Sequence, residues 1–393
     1  MATVRLKPGH VQPIWAGHPW VYAQAVDRVE GGATVGDEVG VVDPRGNLLG
    51  RGFYSPGSAI PVRLLVRDAT TRLDASFFRN RTQHALALRT SLGLPTEHTT
   101  GFRVINAEGD GLPGLIVDRY GDALAVQLGT VGMKQREQLV YDALWSALAP
   151  RAIVDRTSAQ TAKTEGFIPS SGVVRGDDIS AFEFAERSLR YRIPLEVGQK
   201  TGFYFDQRSL RGRVEQLAHG KRVLDAYCFV GAFAIAAARG GAREVIAVDG
   251  SAIALEAGAE CAAMNQVNDR IRFVKEDARR ALSDAKGTFD LVIVDPPRLA
   301  PTRSLRDRAL SAYARLADGA CRATRPGGLL VMCSCSTAID LEALTRALAT
   351  GATRANADVT VLERWFQGAD HPVPAAFGEG VYLKALVACV EAR

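Results

Sequence analysis

Short apolar runs separated by turn residues open the chain. Glu38-Val-Gly-Val-Val42 and Ile60-Pro-Val-Arg-Leu-Leu-Val66 alternate with Gly31-Gly32, Asp43-Pro44-Arg45-Gly46 and Ser55-Pro56-Gly57. Glycine supplies positive φ and proline fixes φ, so these clusters read as turns and the runs between them as strands. Strands this closely spaced predict a compact barrel or sandwich over residues 1 to about 70. From 74 to about 92 the apolar positions Phe77, Phe78, Leu86 and Leu88 fall at helical spacing, and Gly93 and Pro95 end the run. A strand at Phe102–Asn106, a turn at Glu108–Gly114, strands at Leu115–Asp118 and Leu124–Leu128 and a helix over 134–148 predict an α+β middle domain, closed by Leu195 to Arg208.

From residue 220 the pattern becomes an alternation of strand and helix. Arg222–Asp225, Glu244–Asp249, Ile271–Val274, Leu291–Asp295 and Leu329–Met332 are nearly continuous apolar runs, and Val381–Val387 reads as a last strand. A parallel sheet covered on both faces requires runs of that kind, so the region predicts a doubly wound α/β domain. No internal repeat or low-complexity tract interrupts it.

A chain of 393 residues exceeds what one core usually supports. The divisions expected are 1–72, 73–195 and 196–393. The hydrophobic fraction of 47% and charged fraction of 23% are those of an ordinary globular protein, and a net charge of +5 permits a polyanionic partner without demanding one. The start, Met1 to Lys7, lacks an apolar signal core, and no apolar run approaches the ~20 residues of a spanning helix. Six cysteines show no C-x-x-C spacing, so neither a zinc site nor a disulfide framework is expected, and a cytoplasmic location fits.

Ligands of open α/β sheets bind beyond the carboxyl ends of the strands. Asp225, Asp249 and Asp295 stand at such ends, and Asp277 lies in the loop after the third strand. The first turn, Asp225-Ala-Tyr-Cys-Phe-Val-Gly231, lacks the G-x-G-x-x-G that cradles a pyrophosphate, which disfavours a nicotinamide dehydrogenase. Gly231 can still allow a close backbone approach, and Asp249 is placed to accept from ribose hydroxyls. Any one of these aspartates alone reads as a helix cap or turn residue. Four on consecutive βα junctions suit a ligand carrying an ammonium and a sulfonium, S-adenosylmethionine.

The whole chain resembles the bacterial class I methyltransferases of the ribosomal RNA large subunit methyltransferase I type. The segments that carry the resemblance are Gly17–Tyr22, Asn106–Tyr120, Gly198-Gln-Lys-Thr-Gly-Phe-Tyr-Phe-Asp-Gln-Arg208, Asp295-Pro-Pro297, Ser334-Cys-Ser336 and Asp370-His-Pro-Val373. The resemblance implies a PUA-like RNA-binding domain, an α+β middle domain and a Rossmann-like methyltransferase domain. It implies that Phe205, Asp206 and Arg208 border the cofactor, with Asp225, Gly231, Asp249, Asp277 and Asp295 around it. Cys228-Phe-Val230 departs from the small or polar residues commoner there, and Met264–Asn268 follows the usual pattern only loosely.

The resemblance further implies 5-methylcytosine formation in 23S ribosomal RNA. Pyrimidine C5 is a poor nucleophile, so such chemistry needs a thiolate that adds at C6 and a base that later removes the C5 proton. Cys335 lies where the family carries its nucleophile, and Cys333 shares its strand parity. Cys261, Cys321 and Cys389 read as structural. Asp295-Pro-Pro297 ends the fourth strand as a stiff loop toward the base, and Arg298 stands where a two-cysteine mechanism would carry a second thiol. Glu379 is the candidate proton acceptor, and His371 can orient its loop.

Lys7, Arg51, Arg63, Arg67, Arg298 and Arg303 are candidate phosphate contacts, and Trp20, Tyr22 and Phe53 candidate stacking residues, each with an ordinary surface or core role as its alternative. Three readings stay open at this point: cytosine C5 methylation, methylation of uridine C5 or an exocyclic amine, and an RNA-binding protein with a vestigial cofactor site. A homodimer also stays open.

Overall fold

The structure, a computed structural model, describes residues 1–197, 201–300 and 303–393, with the side chain of Arg303 outside the description. Residues Gly198 to Lys200 of the Gly-Gln-Lys-Thr-Gly motif therefore lie outside the described residues, as does the expected phosphate contact of the Arg303 side chain. The chain forms two compact units. One comprises Met1–Ser188, Gly198–Phe205 and Ala369–Gly380; the other comprises Leu189–Val197, Asp206–Gly368 and Val381–Arg393.

The first unit begins with β1 (Thr3–Leu6), α1 (Gln12–Trp15), β2 (Trp20–Val21), β3 (Val26–Glu30), β4 (Glu38–Val42), β5 (Leu48–Tyr54) and β6 (Val62–Val66). Its six strands lie in the order β2-β6-β5-β4-β1-β3 around Val4, Leu6, Val39, Val41 and Val62. The β4–β5 turn is set by Asp43, whose carboxylate accepts from the backbone N–H groups of Arg45 and Asn47. Gly52 permits the tight β5–β6 approach, because a Cβ there would lie 2.0 Å from the Arg63 carbonyl oxygen.

Next come α2 (Ala75–Ser91), β7 (Gly101–Asn106), β8 (Leu115–Tyr120), β9 (Ala123–Leu128), α3 (Val131–Lys134), α4 (Glu137–Leu148), β10 (Ala152–Asp155), α5 (Ala159–Glu165), β11 (Gly172–Gly176) and β12 (Ala181–Glu186). Asp74 caps α2 by accepting from the N–H groups of Ser76 and Phe77. The helix expected over 134–148 is split into α3 and α4, because Arg136 leaves helical geometry at φ −113°. A sheet ordered β11-β10-β9-β8-β7 packs its apolar face with α2 and α4. Beneath it lie two buried ion pairs, Arg89–Asp110 and Arg103–Asp118.

Those pairs tie the Asn106–Gly114 segment to Asp370–Val373. Asp110 also accepts from the Asn106 N–H, Arg89 donates to the Asp370 carbonyl at 2.9 Å, and the Arg103 N–H donates to the Asp370 carboxylate at 3.1 Å. A Cβ on Gly109 would lie 1.9 Å from the Pro372 carbonyl oxygen. Asn106–Gly114 and Asp370–Val373 are thus one polar construction, stabilising because each buried charge is partnered.

The second unit contains β13 (Leu189–Pro194), α6 (Arg208–Leu217), β14 (Arg222–Ala226), α7 (Ala232–Arg239), β15 (Glu244–Asp249), α8 (Ala252–Met264), β16 (Ile271–Lys275), α9 (Ala278–Asp284) and β17 (Phe289–Val294). It continues through α10 (Arg306–Ala323), β18 (Thr324–Ser334), α11 (Leu341–Arg354), β19 (Ala357–Phe366) and β20 (Lys384–Ala392). Seven strands lie in the order β16-β15-β14-β17-β18-β20-β19, with β20 antiparallel to both neighbours. Leu224, Val248, Val292, Val294, Met332 and Leu386 face one apolar core with α9, α10 and α11. Strand alternation therefore turns Asp225 and Cys333 to the opposite face. Among the described residues no helix is long and apolar enough to cross a membrane.

Candidate active site

The strand order reverses at β14, which pairs with β15 on one side and β17 on the other, the place where open α/β sheets form a crevice. Asp225, near the end of β14, is completely buried. Its Oδ2 accepts from the Ala234 N–H at 3.0 Å, while Oδ1 is buried without a hydrogen-bond partner among the described residues. Burial, the Asp295 charge and the Asp249 charge together push this carboxyl up to about 8. Asp249, ending β15, accepts from the Phe229 N–H and the Ser251 N–H, both at 2.9 Å, and so ties two loops together. Asp295, just past β17, accepts from the Gln207 side-chain amide at 2.6 Å.

Two expected cofactor residues have a further local role. Asp277 caps α9 and pairs with Arg279, which holds its carboxyl down at about 2. Gly231 adopts φ +69° as the residue before α7, and a Cβ there would lie 2.7 Å from the Phe273 ring. The turn and the phenylalanine ring both require a glycine here. Tyr227 and Phe229 share its positive φ, at 64° and 53°, and curl the loop tightly between the ends of β14 and β15.

Asp206 accepts from the Tyr382 hydroxyl at 2.7 Å, and its carbonyl accepts from the Gly368 N–H. Arg208 opens α6, half-buried. Phe205 is buried in the first unit against Tyr120, Phe184 and Phe203, with ring centroids 5.0 to 5.2 Å apart. An apolar ring gains most from such a cluster, so packing alone holds Phe205 in place.

Cys333 and Cys335 are distinct in the structure. Cys333 is fully buried in β18, where burial above all pushes its thiol well up, and its sulfur lies 3.8 Å from the Gln207 amide oxygen. Cys335 stands just past the strand end and is half-buried, which suits a reactive thiol better. Its loop is pinned from several sides. Ser334 Oγ accepts from the Ser336 N–H, Ser336 Oγ accepts from the Ala300 N–H, and Thr337 Oγ1 accepts from Arg298. Lys384 donates to the Ser336 carbonyl at 3.0 Å and to the Tyr382 carbonyl at 2.9 Å. The serines flanking Cys335 therefore fix the backbone that presents the sulfur.

Gln207, Tyr382 and Lys384 carry no signal in the local pattern. Only pairing β18 with β20, which sets Ser334 opposite Lys384, brings the lysine to this loop.

In the first unit Glu379 accepts from the Tyr22 hydroxyl at 2.9 Å and lies 3.3 Å from His18 Nε2. Burial pushes this carboxyl up, but hydrogen bonds from its own backbone, Tyr22 and His18 outweigh that and hold it below the ordinary value. His371 is buried beside Asp370. Arg51 is committed to Glu38 and two carbonyls, Arg63 to Glu165, and Arg67 to the carbonyls of Ile14 and His18. Trp20 donates to Glu108 and packs on Phe377, Tyr22 serves Glu379, and Phe53 lies under Arg136. For these arginines and aromatic rings the structure shows the intramolecular role that stood as the alternative to a nucleic-acid contact. A groove of about 640 Å³ is lined by Arg67, Asp68, Arg72, Phe77, Arg81 and His84; Arg81 donates to the Leu65 carbonyl, and neither Arg72 nor Arg81 forms an ion pair among the described residues.

A seven-stranded sheet with one antiparallel strand, and carboxylates rather than a glycine fingerprint at its switch point, define a Rossmann-like S-adenosylmethionine-dependent methyltransferase. The residues fit that cofactor: an unpartnered, buried carboxylate oxygen beside two more carboxylates calls for a cationic ligand and would repel a diphosphate. Residues 4–67 match the PUA-like domain family, and residues 117–384 match the S-adenosylmethionine-dependent methyltransferase family. The chain is 35% identical to ribosomal RNA large subunit methyltransferase I of Shewanella frigidimarina, over 98% of this chain and 99% of the relative. It is 36% identical, with the same coverage, to the protein of that name from Shewanella denitrificans. The chain belongs to the ribosomal RNA large subunit methyltransferase I family. SMU.776, solved in complex with SAH and described as a methyltransferase, shares the fold at a TM-score of 0.87 and 19% identity, over 99% of this chain and 100% of that one.

Proposed function

We propose that the protein methylates C5 of a cytosine in 23S ribosomal RNA through a covalent bond from Cys335 to C6. The observation that carries this reading is a half-buried cysteine, held in a pinned loop at the carboxyl end of β18, in the same unit as the carboxylate cluster. When bound, S-adenosylmethionine supplies an electrophilic methyl group. Asp225 serves its cationic end and Asp249 its ribose, with Asp206, Arg208, Gly231 and Asp277 completing the surround.

The Cys335 sulfur adds to C6, and the ring electrons move to C5, which would then form the new carbon–carbon bond to the donor's methyl group as the methyl–sulfur bond breaks and its electron pair stays with the donor. Removing the C5 proton restores the C5–C6 double bond as the C–S electron pair returns to sulfur. Glu379 is the proposed acceptor, since Tyr22 and His18 keep its carboxylate ionised. Asp295 favours cytosine over uracil, because a carboxylate accepts from the N4 amine and repels O4. The Arg72 and Arg81 groove supports RNA binding by adding a cationic surface in the first unit.

The test uses RNA carrying 5-fluorocytidine, whose C5 fluorine cannot leave as a proton. The wild-type chain forms a denaturation-resistant protein–RNA complex that Cys335→Ala does not. A complex that survives in Cys335→Ala, or none in the wild type, overturns the reading. Glu379→Gln accumulates the same complex on ordinary RNA if Glu379 is the acceptor.

A further inference from the structure

Lys384 is 4% exposed, and a lysine that deeply buried ordinarily has a carboxylate partner. Among the described residues this one forms no ion pair. Both of its hydrogen bonds go to backbone carbonyls, those of Ser336 and Tyr382. The first of these belongs to the residue after Cys335, and β18–β20 pairing places Ser334 directly opposite the lysine. The charged groups that act on it are the Cys335 thiol, Asp340 and Arg298.

We propose that Lys384 is the proton partner of Cys335, taking the thiol proton and holding the thiolate at the end of β18. This rests on the reading of Cys335 as nucleophile. The balance is simple: the proton passes from Sγ to the neutral Nζ, leaving a thiolate and an ammonium. A neutral amine carries two hydrogens and can keep both carbonyl bonds, while the ammonium carries a third for the sulfur. Protonation can therefore change without breaking the contacts that pin the loop.

Burial first of all lowers the Lys384 amine to about 8, close to an ordinary thiol, so the proton can be exchanged near neutral pH. When sulfur bonds to C6 its negative charge disappears and the ammonium loses its counter-ion. When sulfur is released the ion pair forms again. The lysine thus favours the state of the loop in which the thiolate is ready to attack.

The test is the pH dependence of iodoacetamide alkylation at Cys335, read by peptide mass spectrometry on the full chain without RNA or cofactor. Wild type alkylates with an apparent pKa below that of a free thiol. Lys384→Met shifts the profile upward and slows alkylation at pH 7 about tenfold, the factor for one pKa unit. Because Lys384→Met can disturb the loop, the reciprocal chain is measured as well. In Cys335→Ala, nuclear magnetic resonance of the lysine side chain shows its pKa falling once the thiolate is removed, as coupled titration requires. An unchanged alkylation profile in Lys384→Met, or an unchanged lysine titration in Cys335→Ala, overturns the proposal. The nucleophile reading fails separately, if Cys335→Ala still makes the methylated product.

Discussion

Buried aspartates are treated in opposite ways by the two units. In the first, Asp110 and Asp118 are buried against Arg89 and Arg103, each with a bonded guanidinium. In the second, Asp225 is equally buried, has no cation among the described residues, and faces two further carboxylates. The paired carboxylates stabilise the fold around them. The unpaired one costs stability, and a cationic ligand offsets that cost. The same residue type is structural in one unit and ligand-directed in the other, and the presence of an arginine decides which.

The largest effect expected is on the paired side. Asp110→Ala leaves Arg89 buried and uncompensated, so the first unit loses about 3–5 kcal/mol of stability, measurable by denaturant unfolding. A loss under ~1 kcal/mol would remove the contrast. Asp225→Asn should act the other way, lowering S-adenosylmethionine affinity about a hundredfold, or ~2.7 kcal/mol, by calorimetric titration, without lowering the unfolding midpoint.

The pH dependence sharpens the same difference. Because the folded Asp225 carboxyl is raised to about 8, its contribution to stability is present below its unfolded value near ~4 and is lost as pH rises through 8. Cofactor binding has the opposite slope, strengthening up to about tenfold per pH unit until the carboxylate is ionised near 8. Asp225→Asn should flatten both curves, and slopes that persist in that variant would assign them to other groups. The smallest effect concerns arginines. Arg72→Ala with Arg81→Ala should weaken RNA binding several-fold and reduce its salt dependence at unchanged stability, whereas Arg51→Ala should mainly destabilise.

The periodicity of the second half made its doubly wound sheet readable, and the aspartates at strand ends were readable with it, since strand ends are local features. The edge strand β19 escaped despite its alternation, with every second side chain exposed, because its polar residues dilute the apolar run. The roles of Lys384 and Gln207 were not legible for another reason: only the sheet pairing and the turn into α6 bring them to the Ser336 carbonyl and to Asp295. The motifs Asn106–Gly114 and Asp370–Val373 stood out by resemblance, and the structure shows the physical work they do in the first unit. The packing of Phe205 and the ion pairs of Arg51 and Arg63 were not legible either, because nothing local tells a packed ring from a stacking one, or a committed guanidinium from a free one.

The atom that receives the methyl group distinguishes cytosine C5 methylation from methylation at an exocyclic amine. Purified protein with methyl-labelled S-adenosylmethionine and 23S ribosomal RNA, followed by nucleoside mass spectrometry, reads that atom directly. Labelled 5-methylcytidine is expected from the wild-type chain and none from Cys335→Ala. A labelled N-methyl nucleoside, or 5-methylcytidine that persists in Cys335→Ala, would contradict that expectation.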